Sequence, residues 1–222
     1  ANPAEVASLV TFLNANFDSA DLGTITATEN YYTAPPEAGA GDLVIFTRQT
    51  RSGEYDEDAA AWNGLGAGVL CLSPYVTDGP AWGWSTHTSQ KDYDAAGFET
   101  QLVDGNDPAN STALDPIFSG VTVSNGYANL LLNDSKSIAG HPNDDVLGLG
   151  YDAASGKGSD LIGRIGDNKI YFYYGSDMSN LTSDGQIVLK NAVAELIPEP
   201  GSVGLIALAG GALLFIRRRF MM

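Results

Sequence analysis

The sequence DLVIFT at residues 42–47 is followed by DEDAAAWNGL at residues 56–65 and GVLCLS at residues 68–73. The first and last segments are short, uninterrupted apolar runs, which are typical of strands buried on both faces. The middle segment begins with acidic residues, which favour a helix N-terminus, and then places Ala59, Trp62 and Leu65 on one side. We therefore predict two parallel strands joined by a helix.

Helical and strand patterns extend this prediction over the rest of the chain. Residues 3–17 and 181–196 place apolar side chains at helical spacing, and Thr182 is the expected cap of the second helix. The tripeptide Gly166-Asp167-Asn168 predicts a hairpin turn. The predicted fold class is α/β, with a mostly parallel sheet and helices on both faces. A short helix is also predicted at residues 79–91, and further strands at residues 22–28, 98–103, 121–124, 128–132, 146–151, 159–165 and 169–174.

Four segments resemble the class I glutamine amidotransferase-like superfamily, especially its trehalose-utilisation (ThuA-like) relatives. They are DLVIFTR at residues 42–48, VLCLSPYV at 69–76, DPIFSGV at 115–121 and YFYYGSDMSNLTSDGQIVLKNAV at 171–193. The resemblance covers most of residues 1–197 and implies one amidotransferase-like domain with a flavodoxin-like sheet. The first strand of that fold precedes its first helix, so we expect this strand upstream of Ala1 or missing from the sheet.

The C-terminal segment, residues 198–222, has three parts: a proline-glutamate-proline motif, an uncharged run and an arginine cluster. They are, in order, Pro198, Glu199 and Pro200; residues 201–216; and Arg217, Arg218 and Arg219. At about 1.5 Å per residue the uncharged run would form a helix of roughly 24 Å, slightly shorter than the roughly 30 Å hydrocarbon core of a bilayer. We predict a single transmembrane helix with its arginine end in the cytoplasm.

This order of motifs strongly resembles the PEP-CTERM sorting signal of Gram-negative bacteria. The resemblance implies an exported protein that is anchored in the inner membrane until an exosortase cleaves near the Pro-Glu-Pro motif. The product would then reach the cell surface or the extracellular matrix. We accordingly expect that the sequence begins after a signal-peptide cleavage site or is a fragment, and that the mature protein lacks the C-terminal helix.

The charge balance limits the partners of the exported part. Residues 1–200 contain eight basic residues against 27 acidic ones, a net charge of −19. Nucleic acid and anionic lipid headgroups would be repelled. Extracellular polysaccharide, another matrix protein or divalent cations fit better, although an acidic surface also simply keeps a secreted protein dispersed.

Catalytic residues are hard to find in this sequence. A cysteine nucleophile needs a tight turn and a nearby base, whereas Cys71 lies within the apolar run GVLCLS and is predicted to be a buried, inert thiol. Its replacement by alanine should cost only about 1 kcal/mol of stability. His87 and His141 are not spaced as ligands on one element. We predict no catalytic residue, cofactor or metal.

Two groups of residues remain as weak ligand candidates. Trp82 and Trp84 could offer ring faces to a sugar, whereas the run of aromatic residues at 171–174 is better explained by core packing. The acid-rich segments at 56–58, 104–107 and 143–145 could supply oxygens to calcium, but none matches a known calcium loop, and helix caps and turns explain them.

Two functions are consistent with these observations. The first is an exported surface or matrix protein that acts by binding or structural assembly. The alternative is an extracytoplasmic hydrolase or amidase, which is supported by the resemblance of the fold alone.

Overall fold

The computed structural model of the chain describes residues 3–18, 38–39, 41–47, 56–74, 81–84, 90–93, 100–102, 115–132, 135–138, 145–152, 157–174 and 177–197. Three helices and nine strands lie within these ranges. The helices are α1 (Pro3–Asn16), α2 (Ala59–Asn63) and α3 (Ser183–Leu196). The strands are β1 (Leu43–Phe46), β2 (Gly68–Cys71), β3 (Gln90–Tyr93), β4 (Thr100–Leu102), β5 (Tyr127–Ala128), β6 (Ser135–Ile138), β7 (Asp145–Asp152), β8 (Lys157–Arg164) and β9 (Lys169–Phe172). Single turns of 3-10 helix span Asp56–Asp58, Pro116–Phe118 and Met178–Asn180.

The strand-helix-strand unit predicted from residues 42–73 is confirmed. Strands β1 and β2 are parallel and in register, with α2 between them in the chain, and β9 pairs parallel with the other edge of β2. The strand next to β9 is β8, which is antiparallel to it. The block β1-β2-β9-β8 is therefore mostly parallel.

Beyond this block the prediction of a mostly parallel sheet is wrong. The described strands follow the order β1-β2-β9-β8-β7-β4-β5, with β6 beside β8 and β3 beside β6, and every pairing outside β1, β2 and β9 is antiparallel. Short connections explain part of the difference. Only four residues separate β7 from β8, and a parallel pair needs a crossover of a dozen residues or more.

Helices cover both faces of the parallel block. A Cβ placed on Gly68 of β2 would lie 3.0 Å from Leu196 Cβ, so α3 covers the face to which Gly68 points. Leu43 of β1 is in register with Gly68, and Phe46 lies three residues further along β1, on the opposite face. There the Phe46 ring contacts Trp62 of α2. The predicted arrangement of helices on both faces is therefore present in this block.

The local signals for the last hairpin and the last helix are also confirmed. The N–H of Ile165 donates to the carbonyl of Lys169 at 2.9 Å, and Gly166 adopts φ +60°, a conformation that favours glycine. Thr182 caps α3, since its hydroxyl accepts a hydrogen bond from the N–H of Gly185 at 3.0 Å.

Several local predictions are wrong. The predicted strand at 121–124 forms no strand apart from an isolated bridge at Ser124. Within the predicted helix at 79–91, residues 81–84 form turns and bends, and β3 begins at Gln90. The polar strands β3 and β6 were not predicted, because their sequences QKDY and SKSI lack the apolar content that marks a strand.

The central strand β9 explains the aromatic run at residues 171–174. All four side chains are buried, and the rings of Tyr171 and Tyr173 stack at 4.8 Å between centroids. The four aromatic residues therefore fill the core on both sides of the sheet, whereas the sequence pattern suggested core packing on one side.

The C-terminal segment and the predicted strand at 22–28 lie outside the described residues. Within the residues that are described, no helix combines the length and the apolar character needed to cross a bilayer. The last described residue is Ile197, the C-cap of α3.

Candidate functional site

Trp82 and Trp84 lie in a cluster of aromatic side chains at the end of β1. We define this aromatic cluster as Phe46, Trp62, Trp82 and Trp84. The Trp82 ring meets Phe46 at 5.6 Å and Trp84 at 5.7 Å between centroids, and both contacts are edge-to-face. Phe46 in turn contacts Trp62 at 4.8 Å. Edge-to-face contacts are a favourable geometry for aromatic rings, so the cluster stabilises the packing of α2 on the sheet.

Asn63 connects the two candidate tryptophans to α2. Its side-chain amide donates to the carbonyl of Trp82 at 2.8 Å, and its side-chain oxygen accepts from Trp84 Nε1 at 2.6 Å. Trp82 and Trp84 are 2% and 3% exposed, which leaves no ring face for a sugar. The structure therefore corrects their interpretation as ligand candidates: both belong to the core.

Cys71 occupies the position predicted for a buried thiol. It is the last residue of β2, is 0% exposed, and donates a hydrogen bond from Sγ to the carbonyl of Ser73 at 3.2 Å. Burial raises the pKa of the Cys71 thiol from 9.0 to about 12. The thiolate, which is the nucleophilic form, is therefore scarce at neutral pH.

Iodoacetamide is expected to label Cys71 in the native protein at pH 8 no faster than the protein unfolds, and to label it rapidly in urea. Because burial raises the pKa of Cys71 above its value in the unfolded chain, the contribution of the buried thiol to the free energy of unfolding is complete below pH 9. It is lost as the pH rises toward 12. Mass spectrometry of the labelled protein over time measures both rates. Rapid labelling without denaturant would show an accessible, activated thiol.

A charged cluster, formed by Asp115, Arg164 and Glu195, lies on the face of the sheet that α3 covers, opposite the aromatic cluster. The sequence did not predict it. Arg164, the last residue of β8, contacts both Asp115 and Glu195 through its guanidinium group. Nη2 lies 2.5 Å from Asp115 Oδ1 and 2.7 Å from Glu195 Oε2, while Nε lies 3.3 Å from Asp115 Oδ2. A further ion pair joins Nη1 to Glu195 Oε1. The guanidinium therefore connects β8, the turn Pro116–Phe118 and the last turn of α3.

The DPIFSG segment at residues 115–120 and helix α3 are in direct contact. Asn191 of α3 donates from its side-chain amide to the carbonyls of Ile117 and Ser119, both at 2.9 Å. Asp115 caps the same turn by accepting from the N–H of Ile117 at 2.9 Å. The DPIFSG segment and α3 are therefore joined by hydrogen bonds into one unit. Asn191 and Asp115 thus fix this turn against α3.

Among the described residues, two other titratable groups have shifted pKa values. Burial lowers the pKa of Lys169, whose Nζ donates to Asn168 Oδ1 at 3.1 Å. Burial raises the pKa of Tyr174, and the charges of Glu5 and Asp177 add to this shift. Both shifts follow from desolvation of the charged form, and neither group lies in the charged cluster.

The acid-rich segments are only partly described. Residues Asp56–Asp58 form one 3-10 turn before α2, and Asp58 occupies the N-cap position without a capping side-chain hydrogen bond. Asp145 is the first residue of β7. Among the residues that the structure describes, no group of three or more His, Cys, Asp or Glu side chains is placed to hold a metal ion.

The remaining candidates lie outside the described residues. They are His87, His141, the acidic segment 104–107, the motif Pro198, Glu199 and Pro200, and the cluster Arg217, Arg218 and Arg219. Comparison with protein-family models, curated proteins and solved structures finds no match to this chain.

Proposed function

We propose that this protein is exported, anchored in the inner membrane by its C-terminal segment, and released to the cell surface or extracellular matrix by an exosortase. One observation carries this proposal: the order of Pro198-Glu199-Pro200, an uncharged run and Arg217-Arg218-Arg219 at the C-terminus. An apolar run with arginines at one end is oriented by the positive-inside rule, which leaves residues 1–197 outside the cytoplasm.

The exported domain acts by binding or by structural assembly. The burial of Cys71 within the sheet and its raised pKa support this proposal, because an amidase of the resembled superfamily would need an accessible thiolate nucleophile. The parallel strands β1, β2 and β9 with helices on both faces support a flavodoxin-like fold. The antiparallel strands β8, β7, β4 and β5, which lie beyond β9 in the sheet, extend that fold.

The partner of the domain is extracellular polysaccharide or another matrix protein. The net charge of −19 over residues 1–200 repels nucleic acid and anionic headgroups. An uncharged or cationic polymer, in contrast, approaches this surface without electrostatic repulsion.

Replacing Glu199 by alanine or deleting residues 217–219 is expected to leave the protein in the inner membrane or mislocalised. Both changes remove part of the motif that resembles the sorting signal. Fractionation of the producing cells, with mass spectrometry of both chain ends, measures the released and membrane-bound forms. The matched control is Glu57→Ala, which removes one exposed carboxylate far from the tail in sequence. Unchanged release of both tail variants would contradict the proposal.

A further inference from the structure

The last turn of α3 is firmly attached to the rest of the domain. The Glu195 carboxylate is paired with Arg164, which Asp115 holds in place from the other side. Leu196 is 5% exposed and lies directly over Gly68 of β2. The N–H of Ile197 donates to the carbonyl of Val193 at 3.0 Å, so helical hydrogen bonding continues to the C-cap.

This attached turn ends immediately before the Pro198-Glu199-Pro200 motif. Peptidases cleave locally unfolded segments, and their rate follows the population of the open state when opening and closing are fast. In the last turn of α3, on the N-terminal side of the motif, Val193 and Leu196 are buried and Glu195 is ion-paired, whereas Ala194 is exposed. A peptidase that needs these residues in an extended form can bind them only after the last turn of α3 opens.

We propose that the ion pair between Arg164 and Glu195 controls how fast the chain is cleaved at this junction. The inference rests on the proposed function, because it assigns regulation of the same cleavage to the domain. Opening the turn breaks the hydrogen bond and the ion pair between the guanidinium and Glu195 and exposes Leu196. Arg164 stays paired with Asp115 while the turn is open, so its ion pair with Glu195 re-forms when the turn closes.

The proposal predicts that Glu195→Gln is cleaved about two to five times faster than the unchanged chain, because a partly exposed ion pair contributes little to the stability of the turn. The change removes the charge of the ion pair and keeps the size of the side chain. Two rates are measured: processing in the producing cells by pulse-chase, and cleavage of the purified full-length chain in detergent by thermolysin. Mass spectrometry locates the thermolysin cuts. Glu57→Gln is the control, since Glu57 is exposed and lies in the turn before α2.

The two assays separate this proposal from the proposed function. Faster cleavage of Glu195→Gln in both, with the thermolysin cuts confined to residues 193–200, supports the control by the ion pair. Equal rates for Glu195→Gln and the unchanged chain in both assays overturn it, as do cuts spread over the whole domain. Faster thermolysin cleavage with no processing of any variant in cells supports the ion-pair control and contradicts the exosortase function.

Discussion

Replacement of Trp82 by alanine is expected to lower the free energy of unfolding by about 3 to 5 kcal/mol, the usual cost of truncating a buried tryptophan. Trp82 is 2% exposed and lies between the rings of Phe46 and Trp84. Its removal leaves a cavity between α2 and the sheet and loses two edge-to-face contacts, each of which contributes about 0.5 to 1.5 kcal/mol. Urea denaturation followed by circular dichroism measures the change.

The matched control is Tyr127→Ala. Tyr127 is 39% exposed, and substitutions at exposed positions usually change stability by no more than about 0.5 kcal/mol. The pair also tests the earlier interpretation of Trp82 as a sugar-binding residue. A Trp82 variant that keeps its stability but loses binding to extracellular polysaccharide would restore that interpretation and contradict the core assignment.

Gly185→Ala is expected to destabilise the protein by about 1 to 3 kcal/mol, the range for overpacking a filled site. A loss of stability is unusual for this substitution, because replacing glycine by alanine within a helix normally raises the free energy of unfolding by about 1 kcal/mol. Gly185 lies in the first turn of α3, and a Cβ added there would overlap the carbonyl oxygen of Leu130. That oxygen accepts a hydrogen bond from the N–H of Thr182 at 3.1 Å, so it cannot move without loss of this bond.

Gly39→Ala is the control for this substitution. A Cβ on Gly39 would have no atom within 4 Å, and the backbone there is not in the left-handed region. We expect this variant to unfold at the same urea concentration as the unchanged protein or slightly above it. A stabilised Gly185→Ala protein would show that α3 can shift away from Leu130, and that the contact of the helix with this loop is loose.

Much of the parallel block could be predicted because its signals are local. The apolar runs at 42–47 and 68–73, the Gly166-Asp167-Asn168 turn and the Thr182 cap each depend on a few neighbouring residues. The burial of Cys71 followed in the same way from its apolar neighbours. These features are set by backbone geometry and side-chain type over one or two turns of chain.

The pairing of the remaining strands could not be read in this way. Strands β3 and β6 carry few apolar residues, so the pattern that marks a strand is missing, and they form by pairing with each other and, through β6, with the edge of β8. For Trp82 and Trp84, in contrast, the sequence suggested a site that the structure does not contain. Their ring faces suggested a ligand platform, and only the packing of α2 and Phe46 against them showed that both are buried.

The contacts within the charged cluster could not be predicted from the sequence. Asp115 and Arg164 are 49 positions apart, and Arg164 and Glu195 are 31 apart, with no local pattern that connects them. The sequence predicted the strand that carries Arg164 and the amphipathic helix that carries Glu195, whereas the turn capped by Asp115 is seen only in the structure. Their contact is visible only in the folded chain, because an ion pair forms where packing brings the charges within hydrogen-bond distance, and that distance depends on the whole fold.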